Sequence, residues 1–376
     1  MAGLYLHIPF CSSRCVYCDF YSTTCASEAS RYVEALIGEM RMRRDYLSDS
    51  LHTIYIGGGT PSLLDVSLLA RLKSGWESCF SVQPDAEITL EANPDDLSPD
   101  YLAALRQLGF NRLSIGIQSF CDETLALLRR RHTAQQAIEA VEAARRAGFD
   151  NLSLDLIYGL PGEGLERWRQ HVEQALALHP EHVSAYLLTY EEGTPLSRMR
   201  QAGKVAEADE ELAWACYRFL TRRLREVGYE HYEISNFSLP GRCSRHNSSY
   251  WSGVPYLGCG PSAHSYNGTT RCWNEPDLQA YLVAVEGNRL PPCTQDERGR
   301  YTAFNDYVIT RLRTRQGISL SELTRLFGAE STEYVQHAAA PWRERGCLSC
   351  AEGRLFLSEQ GIFLSDAVME DLIRLE

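Results

Sequence analysis

The sequence of 376 residues lacks the features that would assign it to a membrane, a secretory route or a nucleic acid. No run approaches the roughly 18 consecutive apolar residues that a membrane span needs. Its first residues, MAGLYLHIPFC, have no basic segment followed by a long apolar stretch, which argues against a signal peptide. A formal net charge of -12 provides no positive field for a phosphate backbone. We expect a cytoplasmic protein without a transmembrane segment or nucleic-acid partner, and leave peripheral attachment at the inner membrane open.

Low-complexity runs and short repeats are also absent, as in ordinary folded proteins. We expect no disulfide framework among the 13 cysteines, because their number is odd and the expected compartment is reducing. Most should be buried thiols, and a few should be ligands. Cys347 and Cys350 form a CxxC pair without a second pair or nearby histidine, so we interpret them as structural.

From residue 4 to about 227, β-branched runs alternate with amphipathic stretches, which is typical of βα units around a parallel sheet. The predicted strands are residues 4–10, 53–58, 86–92, 112–118, 151–158 and 182–190. The predicted helices include residues 30–47, 101–108, 134–147 and 166–178. Six strands are too few for a closed eight-stranded barrel. The sequence therefore predicts an α/β fold with a partial (β/α)6 barrel, whose site lies at the carboxyl ends of the strands.

The pattern changes twice beyond the predicted barrel. Residues 229–293 are rich in aromatic residues, glycine and proline without clear periodicity, and we expect them to cover the open side of the barrel. Helical patterns at 301–313, 320–327 and 331–345 then precede a hairpin at 348–356, an order that resembles a winged-helix module. Such modules usually indicate DNA, but the acidic chain favours a covering role. The predicted domains are residues 1–228, 229–293 and 294–376.

Three cysteines, Cys11, Cys15 and Cys18, follow the first predicted strand with CxxxCxxC spacing. Three thiolates on one short loop can bind three irons of a cubane iron–sulfur cluster and leave the fourth iron open. Structural zinc normally takes four ligands, and the only nearby imidazole, His7, lies within the strand. Packing of three buried thiols without a metal is the other alternative.

The segment LYLHIPFCSSRCVYCDFYS resembles the N-terminal signature of the radical S-adenosylmethionine (SAM) superfamily. Nearly the whole chain is similar to the branch that contains oxygen-independent coproporphyrinogen III oxidase (HemN-like) and the HemW-like heme chaperones. The resemblance implies a radical SAM barrel with a smaller C-terminal helical, winged-helix-like domain. It also implies a 4Fe-4S cluster held by the three cysteines and SAM, and an electron donor such as flavodoxin or ferredoxin. The cofactor would carry the radical chemistry, while the protein orients and protects it.

The same resemblance implies which residues contact SAM. They are Tyr5, Tyr17, Gly58, Gly59, Thr60, Glu91, Gln118, Arg130 and Asp155. Carboxylates at Glu91 and Asp155 could accept hydrogen bonds from ribose hydroxyls or an ammonium group, and Arg130 could pair with the methionine carboxylate. Because residues 129–131 are three consecutive arginines, a solvated helix face is the alternative for Arg130.

The glycine run at residues 57–61, GGGTP, would let a ligand approach the backbone closely. It lacks the lysine of a phosphate loop and does not fit GxGxxG, which disfavours a nucleotide-phosphate site. A tight turn between a strand and a helix is the alternative interpretation.

Two departures separate this sequence from the oxidase of the resembled branch. That oxidase carries a further cysteine two residues after the third cluster ligand, where this chain has Phe20. It also has an extension before its first strand, whereas Tyr5 lies almost at the start here. Both departures disfavour oxidative decarboxylation.

The motif at residues 246–251, HNSSYW, resembles the HNxxYW motif proposed to hold heme in the chaperone branch. Imidazole is a natural axial ligand for heme iron, and aromatic rings can pack on a porphyrin face. We therefore place heme at or near His246. An interior hydrogen-bonding histidine is the alternative for this residue. His264, in a second segment that the family turns toward its cofactor, is a further candidate for the heme ligand.

The sequence therefore predicts a heme chaperone that binds heme and transfers it to an unidentified acceptor protein, with a cluster and SAM in its core. Whether it is also an enzyme is left open. The alternative is an oxygen-independent coproporphyrinogen III oxidase, which decarboxylates propionates oxidatively through a radical. A radical enzyme that modifies nucleic acid is a third class, which the negative charge disfavours.

Overall fold

The computed structural model describes residues 1–297 and 299–375, which form two compact units. The first unit comprises Met1–Cys216, Ser244–His246 and Val254–Asp296. The second comprises Tyr217–Cys243, Asn247–Gly253 and Glu297–Glu376. The division into three domains stays a prediction.

Six parallel strands form the centre of the first unit and lie side by side in chain order. They are β1 (Ala2–Ile8), β2 (Leu51–Gly58), β3 (Val82–Ala92), β4 (Arg112–Gln118), β5 (Leu152–Tyr158) and β6 (His182–Leu187). Each is hydrogen-bonded in parallel to the next. The predicted α/β fold with six βα units is thus confirmed, although β1 and β6 end earlier than predicted.

Helices separate these strands along the chain, as parallel pairing requires, and two more helices follow β6. They are α1 (Ala29–Met42), α2 (Val66–Cys79), α3 (Pro99–Gln107), α4 (Asp122–Leu127), α5 (Ala134–Arg146), α6 (Leu165–Ala177), α7 (Pro195–Gln201) and α8 (Glu210–Glu226). Local sequence fixes several of their starts, because the side chains of Asp65, Ser98 and Thr133 accept hydrogen bonds from backbone amides in the first turns of α2, α3 and α5.

The aperiodic segment after α8 contains short strands that the sequence did not reveal. Its elements are β7 (Glu230–Glu233), β8 (Asn236–Ser238), α9 (Arg245–Ser252), β9 (Tyr256–Cys259), β10 (His264–Tyr266), β11 (Arg271–Asn274), α10 (Leu278–Glu286) and β12 (Cys293–Gln295). In the first unit, β9 pairs in parallel with β1, and β10, β11 and β12 continue the sheet in antiparallel order. Strands of three or four residues are too short to show a clear alternation of apolar and polar residues.

The rest of the second unit consists of helices and a small antiparallel sheet. Its elements are α11 (Thr302–Leu312), β13 (Ile318–Ser319), α12 (Leu320–Phe327), α13 (Ala329–Glu344), β14 (Leu348–Ala351), β15 (Arg354–Leu357), α14 (Glu359–Phe363) and α15 (Ser365–Leu372). Both β13 and β14 pair with β15. Val308, Leu323, Val335 and Leu355 are buried in one apolar core. The winged-helix-like order of three helices and a hairpin is confirmed.

The two faces of the central sheet differ in polarity. Along β1, Leu4, Leu6 and Ile8 are completely buried on one face, while Tyr5 and His7 alternate with them and point to the other face. Polar side chains therefore line the interior of the barrel.

Within residues 1–297 and 299–375, no helix has both the length and the apolar character needed to cross a membrane.

Candidate functional site

The three cysteines lie on a loop, residues 9–25, that leaves the carboxyl end of β1. The loop folds back on itself, because Cys11 N donates a hydrogen bond to Thr23 O at 2.9 Å. Cys11 is buried, whereas Cys15 and Cys18 are partly exposed. Across the described residues, no three His, Cys, Asp or Glu side chains are grouped as ligands of one metal ion. Three thiols on one short loop are a donor set that a cubane iron–sulfur cluster takes.

His7 connects this cysteine loop to the barrel interior. Its Nε2 lies 3.0 Å from Tyr21 O, and its Nδ1 lies 3.0 Å from the Tyr5 hydroxyl. Burial lowers the pKa of His7 to about 4, so the ring is neutral at neutral pH. A carbonyl oxygen only accepts, so Nε2 donates to Tyr21 O and Nδ1 accepts from the Tyr5 hydroxyl. The predicted site residue Tyr5 is therefore hydrogen-bonded, through His7, to the loop that carries the thiols.

The glycine run after β2 packs directly on the cysteine loop. The Thr60 hydroxyl donates to Cys11 Sγ at 3.5 Å. A Cβ atom on Gly59 would lie 2.9 Å from that sulfur, and one on Gly58 would lie 2.8 Å from the His7 ring. Gly58 also has a φ of 119°, a backbone conformation that residues other than glycine rarely adopt. The run is a tight turn, in which contact with the cysteine loop requires glycine at position 59 and contact with His7 requires it at position 58.

Arg130 lies beside the thiols, so the alternative of a solvated helix face is wrong. Its Nη1 is 3.6 Å from Cys15 Sγ, and its Nη2 donates to Asn93 Oδ1 at 2.6 Å and to Gly116 O. The Nε atom is buried and has no hydrogen-bond partner among the described residues. A buried donor of this kind is uncommon and often marks a missing ligand. The surroundings of Arg130 thus suit an anionic group bound next to the cysteine loop.

Two further site residues, Gln118 and Tyr17, lie near Arg130. Gln118 ends β4 with a φ of 70°. A Cβ atom on Gly116 would lie 3.0 Å from Gln118 Nε2 and 3.2 Å from Arg130 Nη2, so both side chains lie over this glycine. Burial raises the pKa of Tyr17 well above its usual range, while the charge of Arg130 opposes the shift. Tyr17 also hydrogen-bonds with Cys15.

Two carboxyl groups of the barrel interior lie on β3 and β5, on either side of β4. Glu91 accepts hydrogen bonds from the Tyr55 hydroxyl at 2.7 Å and from Gly58 N at 3.1 Å. Asp155 accepts from the Ser114 hydroxyl at 3.2 Å. Burial raises the pKa of Glu91 to about 7, with a smaller contribution from Asp155, and raises the pKa of Asp155 to about 6. A bound cation would favour the ionised form of both groups.

His246 lies inside the barrel near the amino end of β1. Its Nδ1 is 2.8 Å from Thr53 Oγ1, and its ring stacks on Tyr55 with 5.2 Å between centroids. Only 2% of the residue is exposed, and burial lowers its pKa to about 3. This geometry favours the interior hydrogen-bonding role, while the heme contact of His246 stays a prediction. His264, in contrast, is exposed on β10.

The structure collects the nine residues expected to contact SAM in the first unit, on β1 to β5 and the loops that follow them. Several of their hydrogen-bond partners were not predicted from the sequence, and these are His7, Tyr55, Asn93 and Ser114. The available signal was the alternation in β1 and β2, where polar or small residues at every second position face the barrel interior.

Comparison with known proteins identifies the family. Residues 5–175 match the Radical SAM superfamily, and residues 303–364 match the HemN C-terminal domain. The chain is 38% identical to the heme chaperone HemW of Mycobacterium tuberculosis over 376 residues, which cover 99% of this chain and 94% of that protein. It belongs to the HemW family. The heme chaperone HemW of Bacillus subtilis is 33% identical over 372 residues, with 98% of both chains covered.

One solved structure has a fold similar to that of this HemW-family chain along nearly its whole length. Coproporphyrinogen III oxidase (HemN) from Escherichia coli, a radical SAM enzyme, superposes with a TM-score of 0.85. The match covers 99% of this chain and 90% of the oxidase at 24% sequence identity. The radical SAM fold expected from the cysteine segment is thereby confirmed for the first unit, while the HemN C-terminal domain match lies in the second.

We expect the Glu91→Gln substitution to flatten the pH dependence of stability. Burial raises the pKa of Glu91 from 4.5 to about 7, so the folded chain retains a proton that the unfolded chain releases between these values. The contribution of Glu91 to stability therefore falls as the pH rises through this window. Urea unfolding of the cofactor-free chain at pH 5 and pH 8 should show a smaller difference for the variant than for the wild type.

The matched control is Glu77→Gln, which changes a carboxylate that pairs with Lys73 on the half-exposed side of α2. This variant should keep the wild-type difference between the two pH values. An equal difference in the wild type and in Glu91→Gln would contradict the assigned protonation of Glu91.

Proposed function

We propose that this chain is a heme carrier with a radical SAM core, which binds heme and passes it to an acceptor protein. The observation that carries the proposal is the 38% identity over nearly the whole chain to a protein named heme chaperone HemW. Phe20 supports the same choice, because the oxidase branch has a cysteine at that position. Phe20 lies on the cysteine loop itself and is 69% exposed.

In this proposal Cys11, Cys15 and Cys18 hold a 4Fe-4S cluster. Burial raises the pKa of Cys18 to about 11, and coordination by iron would offset that cost by stabilising the thiolate. Thr60 and Arg130 already contact the sulfurs of Cys11 and Cys15, and both could donate hydrogen bonds to the ligand sulfurs. When bound, the cluster would supply the electron that cleaves SAM.

The surrounding residues would hold SAM against the open iron. Arg130, whose buried Nε has no partner among the described residues, suits the methionine carboxylate, while the carboxyl groups of Glu91 and Asp155 suit ribose hydroxyls or the ammonium group. Gly58 and Gly59 expose backbone close to the cysteine loop. The remaining proposed contacts to SAM are made by Tyr5, Tyr17, Thr60 and Gln118.

The proposal includes two protein partners and a location. Reduction of the cluster requires an electron donor such as flavodoxin or ferredoxin, and delivery of heme requires an acceptor protein. The proposed location is the cytoplasm, with peripheral attachment at the inner membrane as its alternative. Because the chain carries a net charge of -12, neither partner is expected to be a nucleic acid.

Replacing Cys11, Cys15 or Cys18 by alanine should abolish the broad visible absorbance of the anaerobically reconstituted protein and most of its bound iron. Each change removes one thiolate from the proposed cluster. Cys25→Ala is the matched control, because Cys25 is exposed at the end of the same loop. Wild-type iron content in any of the three loop variants would contradict the ligand assignment.

Incubation of the reconstituted protein with coproporphyrinogen III, reductant and SAM should form no protoporphyrinogen above a protein-free control. The reason is that the chain has Phe20 where the oxidase branch has its additional cysteine. Coproporphyrinogen III oxidase itself serves as the positive control under the same conditions. Appreciable product would overturn the carrier function in favour of the oxidase.

A further inference from the structure

We propose that heme binds on one face of the β10–β11 hairpin, with His264 as its axial ligand. The proposed surface, here termed the hairpin platform, consists of His264, Tyr266, Arg271 and Trp273. The inference rests on the proposed heme-carrying function and assigns the site at which that function would be performed.

The two candidate histidines, His264 and His246, differ in their exposure to solvent. A carrier that hands heme to another protein needs an axial ligand that the porphyrin can reach and leave. His264 is exposed on a short strand of the first unit. His246 is 2% exposed, and its ring is stacked on Tyr55 and hydrogen-bonded to Thr53. Coordination by His246 would require the barrel interior to open, whereas coordination by His264 would not.

The hairpin places the four platform residues on one face. In the antiparallel register, His264 lies opposite Trp273, and Tyr266 lies opposite Arg271. Residues directly opposite each other share a face, as do residues two apart on one strand. The rings of His264 and Trp273 stack with centroids 5.5 Å apart and 25° between planes. The Arg271 guanidinium carbon lies 5.9 Å from the Tyr266 ring centroid.

Strand register also places this face on the interior side of the barrel sheet. Tyr266 lies opposite Tyr256 on β9, and Tyr256 is the partner of Gly3 on β1. Gly3 faces inward, since a Cβ atom there would lie 3.3 Å from the His246 ring. Because β10 runs antiparallel to β9, His264 lies toward the end of the sheet at which β1 leads into the cysteine loop. Heme on the platform would therefore lie at the same end of the first unit as the proposed cluster.

The platform offers an axial ligand for heme iron, a ring that orients this ligand and a cation for a propionate. Partial loss of hydration and the charge of Arg271 lower the pKa of the exposed His264, with opposition from Asp296, so the imidazole is neutral and able to bind iron at neutral pH. The indole of Trp273 stacks on the imidazole and would hold that ring in one orientation beneath the iron. The guanidinium of Arg271 suits the carboxylate of a propionate.

Buried contacts on the opposite face fix the backbone of the platform. Ser265, between the two platform residues of β10, is completely buried. Its hydroxyl accepts a hydrogen bond from Gly258 N at 3.0 Å and lies 3.4 Å from Arg43 Nη1. Asn274 N donates to Ala263 O at 3.0 Å, which adds a backbone hydrogen bond between the two strands next to His264. A ligand held by a fixed backbone loses little freedom when it binds iron.

The test is titration of the full chain with ferric heme, followed by the Soret band, for the wild type and His264→Gln. Glutamine keeps a planar polar side chain but removes the imidazole. Loss of an outer-shell partner alone costs about 10- to 100-fold in metal affinity, so loss of the ligand should weaken heme binding by about tenfold or more and move the Soret band. His264→Met, which supplies a thioether ligand, should restore binding with a different Soret position.

Two further variants make the result specific. His337→Ala removes another exposed histidine, on α13, and should leave the titration unchanged. His246→Ala should keep the wild-type Soret position if the variant retains the wild-type circular dichroism spectrum. Wild-type affinity and Soret position in His264→Gln would overturn the platform and leave the carrier function standing. Failure of the wild type itself to shift the Soret band would overturn both.

Discussion

The contact between Cys11 and Gly59 is the constraint on which the site depends. The backbone after β2 approaches the Cys11 sulfur so closely that a Cβ atom on Gly59 would lie 2.9 Å from it. The parallel pairing of β1 and β2 brings both loops to the same end of the sheet. Since His7 also joins β1 to the cysteine loop from within the barrel, the thiols are held by the sheet and not by the loop alone. A rigid thiol loop is what a cluster with one open iron needs, because its substrate must meet that iron in a fixed orientation.

The burial of charged side chains inside the barrel is the second constraint on the site. It lowers the stability of the cofactor-free chain. Glu91 and Asp155 both lose hydration, and their raised pKa values record that cost. Arg130 loses hydration as well, with one buried nitrogen left without a partner among the described residues. Dehydrated charged groups of this kind are common at sites where a ligand supplies the opposite charges. The same groups that lower the stability of the cofactor-free chain would therefore favour binding of a zwitterionic cofactor. Stability and binding are therefore coupled through these side chains.

The sequence predicted the βα repeat because long strands and helices show their period clearly, as β1 to β6 do. It also predicted the position of Cys11, Gly59 and Glu91, since residues at the ends of parallel strands meet at one edge. It could not predict β9 to β12, whose three or four residues are too few to show alternation. Nor could it separate His246 from His264, because exposure depends on long-range pairing: the first lies inside the barrel and the second on an added strand. Arg130 was similarly ambiguous, since its contact with Cys15 joins residues far apart in the chain.

The central claim is that the cysteine loop holds a cluster whose open iron binds SAM. The most direct measurement is the electron paramagnetic resonance spectrum of the reconstituted, chemically reduced protein with and without SAM. Binding of an amino and a carboxylate group to the open iron should change the g-values of the reduced cluster, and Arg130→Met should weaken the SAM concentration dependence of that change. A cluster spectrum that is the same with and without saturating SAM would contradict the account.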